Sequence, residues 1–299
     1  VQVQETKADK LFNTTNIVIL VVILLLTLYP LWFIVSASIS NPDLVNSGKM
    51  LLWPKDISFA GYKSIFHDSS ILRGYFNTIL YTVGGTVINL IVTVMAGYAL
   101  SRKDFVGGKF FTIMFLITMF FSGGLIPTFM TVKSVGLYNS PWVMVILGAT
   151  SMTNIIITRT FFQTTIPTEV QEAAQIDGCS NIRLFLQVVL PLSSAIVAVM
   201  ALFSAVAHWN GYFTALIYIR DEQWKPLQIV LRETLLKSQF NANLLQQGGD
   251  TAGLLQEELR AAEQIKYALI VIASLPVMAM YPFVQKYFVK GVTLGSVKG

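Results

Sequence analysis

Charge is scarce in this chain: only 12% of its 299 residues are Asp, Glu, Lys or Arg, while 54% are hydrophobic. Cysteine is scarcer still. The single one, Cys179, excludes a disulfide framework within the chain and reads as a small inert residue rather than a nucleophile. The two histidines, His67 and His208, stand far apart with no Cys or carboxylate at metal-ligand spacing around them, so no metal site is expected. A phosphate-binding G-x-x-x-x-G-K-[ST] loop is also missing. The nearest stretch, Gly107-Gly108-Lys109-Phe110, lacks both the spacing and the hydroxyl, so any ATP must be hydrolysed on another polypeptide. No catalytic constellation emerges, and the chain does not read as an enzyme.

What is present is oil in long runs. A mean hydropathy of +0.62 places the chain among integral membrane proteins. A hydrocarbon core of about 30 Å needs roughly 20 apolar residues in a helix. Six such runs occur, near residues 17–39, 75–100, 110–130, 142–162, 184–209 and 267–283. The expected fold is therefore an all-α integral membrane bundle of six transmembrane helices. A β-barrel would show short alternating strands instead. Pro30, Pro127, Pro191 and Pro276 fall inside these runs, where neighbouring helices and water can satisfy the freed carbonyls. The first run exceeds the roughly 7–15 residues of a signal h-region and reads as a retained span, although Val35-Ser36-Ala37 looks like a cleavage site.

The pI of about 9.2 does not indicate nucleic acid, because the Lys and Arg residues are scattered among loops and span ends. Basic residues crowd the short loops on one side: Lys7 and Lys10 before the first span, Arg102, Lys103 and Lys109 between the second and third, Lys286 and Lys290 after the sixth. This predicts both termini in the cytoplasm, with the long loops 40–74 and 210–266 outside. No span centre carries an acid or base of the kind proton-coupled carriers place there, and Arg159, near the inner end of the fourth span, reads as snorkelling to the interface.

One inner connector is too polar for lipid. In Pro167-Thr168-Glu169-Val170-Gln171-Glu172-Ala173-Ala174, Thr168 reads as an N-cap with Gln171 completing a capping box. Gly178 can take the left-handed conformation that ends a helix. About ten helical residues span only ~15 Å, which cannot cross a bilayer. Ala173 and Ala174 let another backbone approach closely, and Glu172 offers a charge to a partner's Arg or Lys. From the residues alone, an interfacial helix solvated on one face remains the other reading.

The pattern Glu172-Ala173-Ala174, Asp177-Gly178, Val188 and Leu190-Pro191 resembles the EAA motif of ABC importer permease subunits, with Val188 where Ile is usual. The run from Gly97 to Arg102, then Ile126-Pro127, Gly136-Leu137, Trp209-Asn210 and the tail from Gln285 to Gly291, ending Lys298-Gly299, resemble the carbohydrate-uptake branch. The longer outer loop near 239–264 and the character of the tail are similar to the subgroup importing complex oligosaccharides such as plant-wall or uronic-acid fragments.

That resemblance implies a type I importer permease fold on a bacterial cytoplasmic membrane, with Glu172, Ala173, Ala174, Asp177 and Gly178 coupling to an ATPase. It further implies a second homologous permease, two ABC ATPase subunits carrying ATP and Mg, an outer solute-binding protein and membrane lipid as partners. The expected domains are 1–74 with the first span and outer loop, a permease core 75–288 containing the coupling loop 164–183, and a tail 289–299. Trp209, Asn210, Tyr212, Phe213, Asn89 and Asn154 are expected to line the sugar path, since hydroxyls need hydrogen bonds and sugar C–H faces stack on aromatics. The loop around 246–251 is expected to touch the binding protein. Permeases for an amino acid or phosphonate, and ATP-independent carriers, are the alternatives.

Overall fold

The computed structural model describes residues 6–246, 262–263, 265–282 and 285, and among them every extended regular element is a helix. The predicted contact loop at 246–251 and the tail motif therefore fall, but for Gln246 and Gln285, outside the described residues. Cα proximity divides the chain into two compact units, residues 1–69 with 231–274 and residues 70–230 with 275–299.

In the first unit, α1 (Lys7–Ser38) runs unbroken through Pro30 and is apolar on every side. Only Ser36, Ala37 and Ser38 at its end are buried. A helix that is oily all round and, but for its last turns, left uncovered by the described residues has lipid or another membrane helix as its surroundings. Beyond it lie α2 (Pro42–Asn46) and α3 (Ala60–His67). Trp32 Nε1 donates to Leu52 O at 2.6 Å, and the Ser38 and Tyr62 hydroxyls meet at 2.8 Å, so this predicted outer segment folds back on the end of α1.

The second unit is organised by α4 (Ser69–Ser101), which continues from Gly108 as α5 (Gly108–Phe120) and α6 (Leu125–Ser134). Next come α7 (Trp142–Ile146), α8 (Met152–Thr165), α9 (Thr168–Ile176), α10 (Asn181–Leu184), a π-turn at Phe185–Val189, and α11 (Leu190–Leu192). They are followed by α12 (Ser194–Trp209), α13 (Tyr212–Tyr218), α14 (Leu227–Gln246), whose later residues join the first unit, and α15 (Ile265–Pro282).

Three of the six predicted runs, α1, α4 and α15, are single helices long and apolar enough to cross a membrane. Two more are bent pairs. The third run turns through 114° between α5 and α6, at Gly124, whose φ of +84° and ψ of 178° suit glycine alone. The fifth bends by 82° at Ser193, just after Pro191, whose missing N–H interrupts the ladder, and the preceding turn has widened to the π form. The fourth run departs most from six single spans. It is two short helices parted at 147–151, and Ser151 caps the second by accepting the Asn154 amide at 3.4 Å.

Segment 219–227, within the predicted outer loop 210–266, is tied to α4. Asn77 Nδ2 donates to the Gln223 and Lys225 carbonyls, Tyr81 donates to Trp224 O, and Thr78 Oγ1 accepts the Leu227 amide.

Candidate functional site

The connector between α8 and α12 forms an elbow. Helix α9 starts at Thr168, one position before the predicted start, and covers about 14 Å. It stops as Gly178 predicts: φ there is +71°, and the Cys179 amide reaches back to the Ala174 carbonyl at 2.9 Å, the six-to-one bond of a Schellman end. The chain then re-enters helix at α10, where Ser180 Oγ accepts the Arg183 amide.

The foot of this elbow is held and its crown is bare. Ala174 and Cys179 pack against a buried cluster of Val94, Tyr98, Phe162, Ile166, Leu184 and Val189. The Tyr98 ring sits 5.7 Å from Phe162 and 5.0 Å from Phe185, joining α4, α8 and the π-turn under the elbow. By contrast Glu172, Ala173, Asp177 and Gly178 are exposed, and Ile176 is 86% exposed. Glu172 makes no ion pair among the described residues. It borders a cavity of about 320 Å³ shared with Arg102, Lys103, Asp104 and Gln171. There Arg102 donates two hydrogen bonds to Asp104, at 2.8 and 2.6 Å, which hold that carboxyl below its ordinary pKa.

The six residues expected along a sugar path do not gather in one place. Asn89 and Asn154 border a common cavity of about 410 Å³. Asn89 is buried, donating from Nδ2 to Gly148 O at 2.9 Å. Trp209 is buried as well, its ring edge-on to Tyr75 at 5.7 Å. Tyr212 packs on the cluster around Tyr81 and Met144, while Asn210 and Phe213 are exposed. None of these last four lines the cavity of the asparagines.

Sequence reasoning missed what His208 does there. Its Nδ1 lies 2.8 Å from the Ser204 carbonyl, so Nδ1 carries the proton and donates, while the buried Nε2 has no partner among the described residues. The ring edge sits where a Cβ on Gly85 would come within 2.2 Å and one on Gly148 within 2.5 Å. Three segments distant in sequence thus meet at one imidazole. Of the small residues on α4, Gly97 is similarly tight against Thr158, at 2.8 Å, whereas Gly84 has ordinary room.

Comparison with known proteins supplies the context. A family described as binding-protein-dependent transport system inner membrane component matches residues 90–294. The chain is 38% identical to protein LplC of Bacillus subtilis (strain 168) over 98% of this chain and 97% of that one. It is 36% identical to the polygalacturonan/rhamnogalacturonan transport system permease protein YtcP of the same strain, over 97% and 99%. Among solved structures it resembles, at 35% identity and a TM-score of 0.84, a chain of a bacterial ABC transporter involved in the import of the acidic polysaccharide alginate. That likeness covers 96% of this chain and all of the other.

Proposed function

This chain belongs to the family of binding-protein-dependent transport system inner membrane components, with the helical fold of an ABC importer permease, and from that premise we propose how it works and on what. It forms half of a pathway for oligosaccharides, and among these the acidic fragments of plant-wall or similar uronic-acid polymers. A second permease completes the pathway. Two cytoplasmic ABC ATPase subunits, holding ATP and Mg, drive it, and an outer solute-binding protein delivers the sugar. Both termini face the cytoplasm, which puts the α9 elbow on the ATPase side.

The elbow is the lever. Glu172 takes a basic residue of the ATPase, Ala173 admits its backbone, and Asp177 with the Gly178 turn fixes the angle at which α9 returns to α10. Because Ala174 and Cys179 are packed on the cluster under α4 and α8, a push on the exposed crown is delivered to those helices. Asn89 and Asn154 serve the sugar hydroxyls at their shared cavity. Trp209, Asn210, Tyr212 and Phe213 flank the outer approach.

The substrate class is carried by one observation, 36% identity over nearly the whole length of a polygalacturonan/rhamnogalacturonan permease. The test is the reconstituted complex with its binding protein, challenged with oligogalacturonides, rhamnogalacturonan fragments, alginate oligomers, maltodextrins, amino acids and phosphonates. Acidic oligosaccharides should stimulate ATP turnover most. Stimulation by an amino acid or phosphonate, with none by any saccharide, refutes the assignment.

A further inference from the structure

A second cavity adjoins the elbow, of about 410 Å³, between the end of α4, the start of α5 and α8. Its walls hold four cations, Arg102, Lys103, Lys109 and Arg159, and no carboxylate. Arg102 is already matched to Asp104. The other three have no ion-pair partner among the described residues; Arg159 is oriented by donating from Nε to the Leu100 carbonyl at 3.1 Å. Three unmatched cations around one hollow repel one another, and an anion between them relieves that repulsion. Helix α5 opens there without a capping side chain, so its positive dipole end adds to the same field.

The surface leading away from the cavity says which anion. No residue of α5 is buried. Ile113 lines the cavity, and with Phe110, Ile117 and Phe120 it forms a stripe at helical spacing, all four exposed. A ligand matching both parts has an anionic head and an apolar tail. We propose that this cavity is a headgroup site for an anionic phospholipid, its phosphate held by Lys103, Lys109 and Arg159 while an acyl chain follows the α5 stripe.

The site has a place in the mechanism, since its cavity and the Glu172 cavity share Ser101, Arg102, Lys103 and Gln163 as a common wall. A bound headgroup braces the wall against which the elbow works. Anionic lipid should therefore raise transport-coupled ATP turnover. This last step rests on the coupling role given to α9, whereas lipid binding itself does not.

The test uses the assembled importer in phosphatidylcholine nanodiscs containing phosphatidylglycerol, with native mass spectrometry counting retained lipid. Lys109→Gln and Arg159→Gln should each lower phosphatidylglycerol retention about fivefold, leaving phosphatidylcholine unchanged. Lys109→Arg should keep it, and Lys133→Gln, on α6, should not alter it. The single Lys109 variants decide the matter if Arg159→Gln does not assemble. Unchanged phosphatidylglycerol retention in Lys109→Gln overturns the site. So does displacement of the lipid by inorganic phosphate at constant ionic strength, which would make the cavity a free-anion site. Loss of ATPase subunits rather than lipid would make it a protein-docking surface and overturns it equally. Retained lipid dependence with no saccharide transport would leave the site standing and refute only the substrate assignment.

Discussion

The α9 elbow and the His208 node sit in the same unit of the molecule, yet one ends bare and the other closed. At the elbow a glycine shapes the turn, nothing lies within 4 Å of where a Cβ on Gly178 would stand, and the charge at Glu172 has no ion-pair partner among the described residues. At the node two glycines make room for a ring, and Asn89 ties the Gly148 loop to α4. An element packed this closely within its own chain sets the frame, even with His208 Nε2 left without a partner among the described residues. An element left incomplete is shaped for a partner. Substitutions should therefore separate cleanly: at the node they should cost folding, at the elbow function.

The largest effect is expected from Gly85→Ala. Its Cβ would stand 2.2 Å from the His208 ring, too close for any real Cβ, so the buried ring or the α4 backbone must shift. Overpacking of this kind costs about 3 kcal/mol. Thermal unfolding of the purified protein in detergent should show it, and adding His208→Ala should recover part of the loss. If the double variant is no more stable than Gly85→Ala alone, the ring is not what the glycine accommodates.

Glu172→Ala should do the opposite. With the side chain exposed, the melting temperature should stay within a degree or so, while ATPase docking weakens by about 2 kcal/mol, the scale of an interfacial charge that anchors a contact. Co-purification of the ATPase and sugar-stimulated turnover measure it. Wild-type docking with a lowered melting temperature would reverse the contrast between the two regions.

A middle-sized effect belongs to Gly178→Ala, where the surroundings are open and only the backbone objects. Holding a non-glycine residue at φ +71° costs about 1 kcal/mol. Gly178→Asn should cost less, since Asn tolerates that conformation better. Hydrogen exchange at the last turn of α9 should rise in the order wild type, Asn, Ala, with coupling falling in step. An Ala variant with unchanged exchange would mean that the turn is held by its neighbours rather than by glycine.

These contrasts also mark what the sequence could disclose. Local rules suffice for the elbow: Gly178 ends α9, and Glu172 and Ala173 of the signature lie on its exposed crown while Ala174 turns to the packed foot, because capping and turn preferences act within a few residues. Hydropathy likewise finds α1, α4 and α15, since each is a continuous apolar run. It does not find the bends at Gly124 and Ser193 or the parting of α7 from α8, because an apolar average is blind to where a helix turns. The His208 node was illegible for a different reason. Gly85, Gly148 and His208 are 63 and 60 positions apart, and only the packed chain brings them together. Trp209 depends on packing in the same way, since its ring is buried edge-on against Tyr75, 134 positions earlier.

The smallest expected effect sits on the wall beside the elbow and tests whether that wall is braced by Arg102 and Asp104. The Asp104 carboxyl is held below its ordinary value, first by the Arg102 hydrogen bond, so the pair stabilises the folded state above the unfolded carboxylate value and loses that contribution as pH falls through the lowered one. Because Asp104 is largely exposed, screening leaves only a few tenths of a kcal/mol. Asp104→Asn should accordingly be slightly less stable than wild type from about pH 5 to 7, and the two should converge as pH falls through the lowered Asp104 value. High salt should narrow the gap at neutral pH. A gap that persists undiminished in acid would locate the stabilisation in packing, where Arg102 already leans over the Tyr98 ring at 6.0 Å, and would move the brace from the ion pair to the aromatic cluster beneath α9.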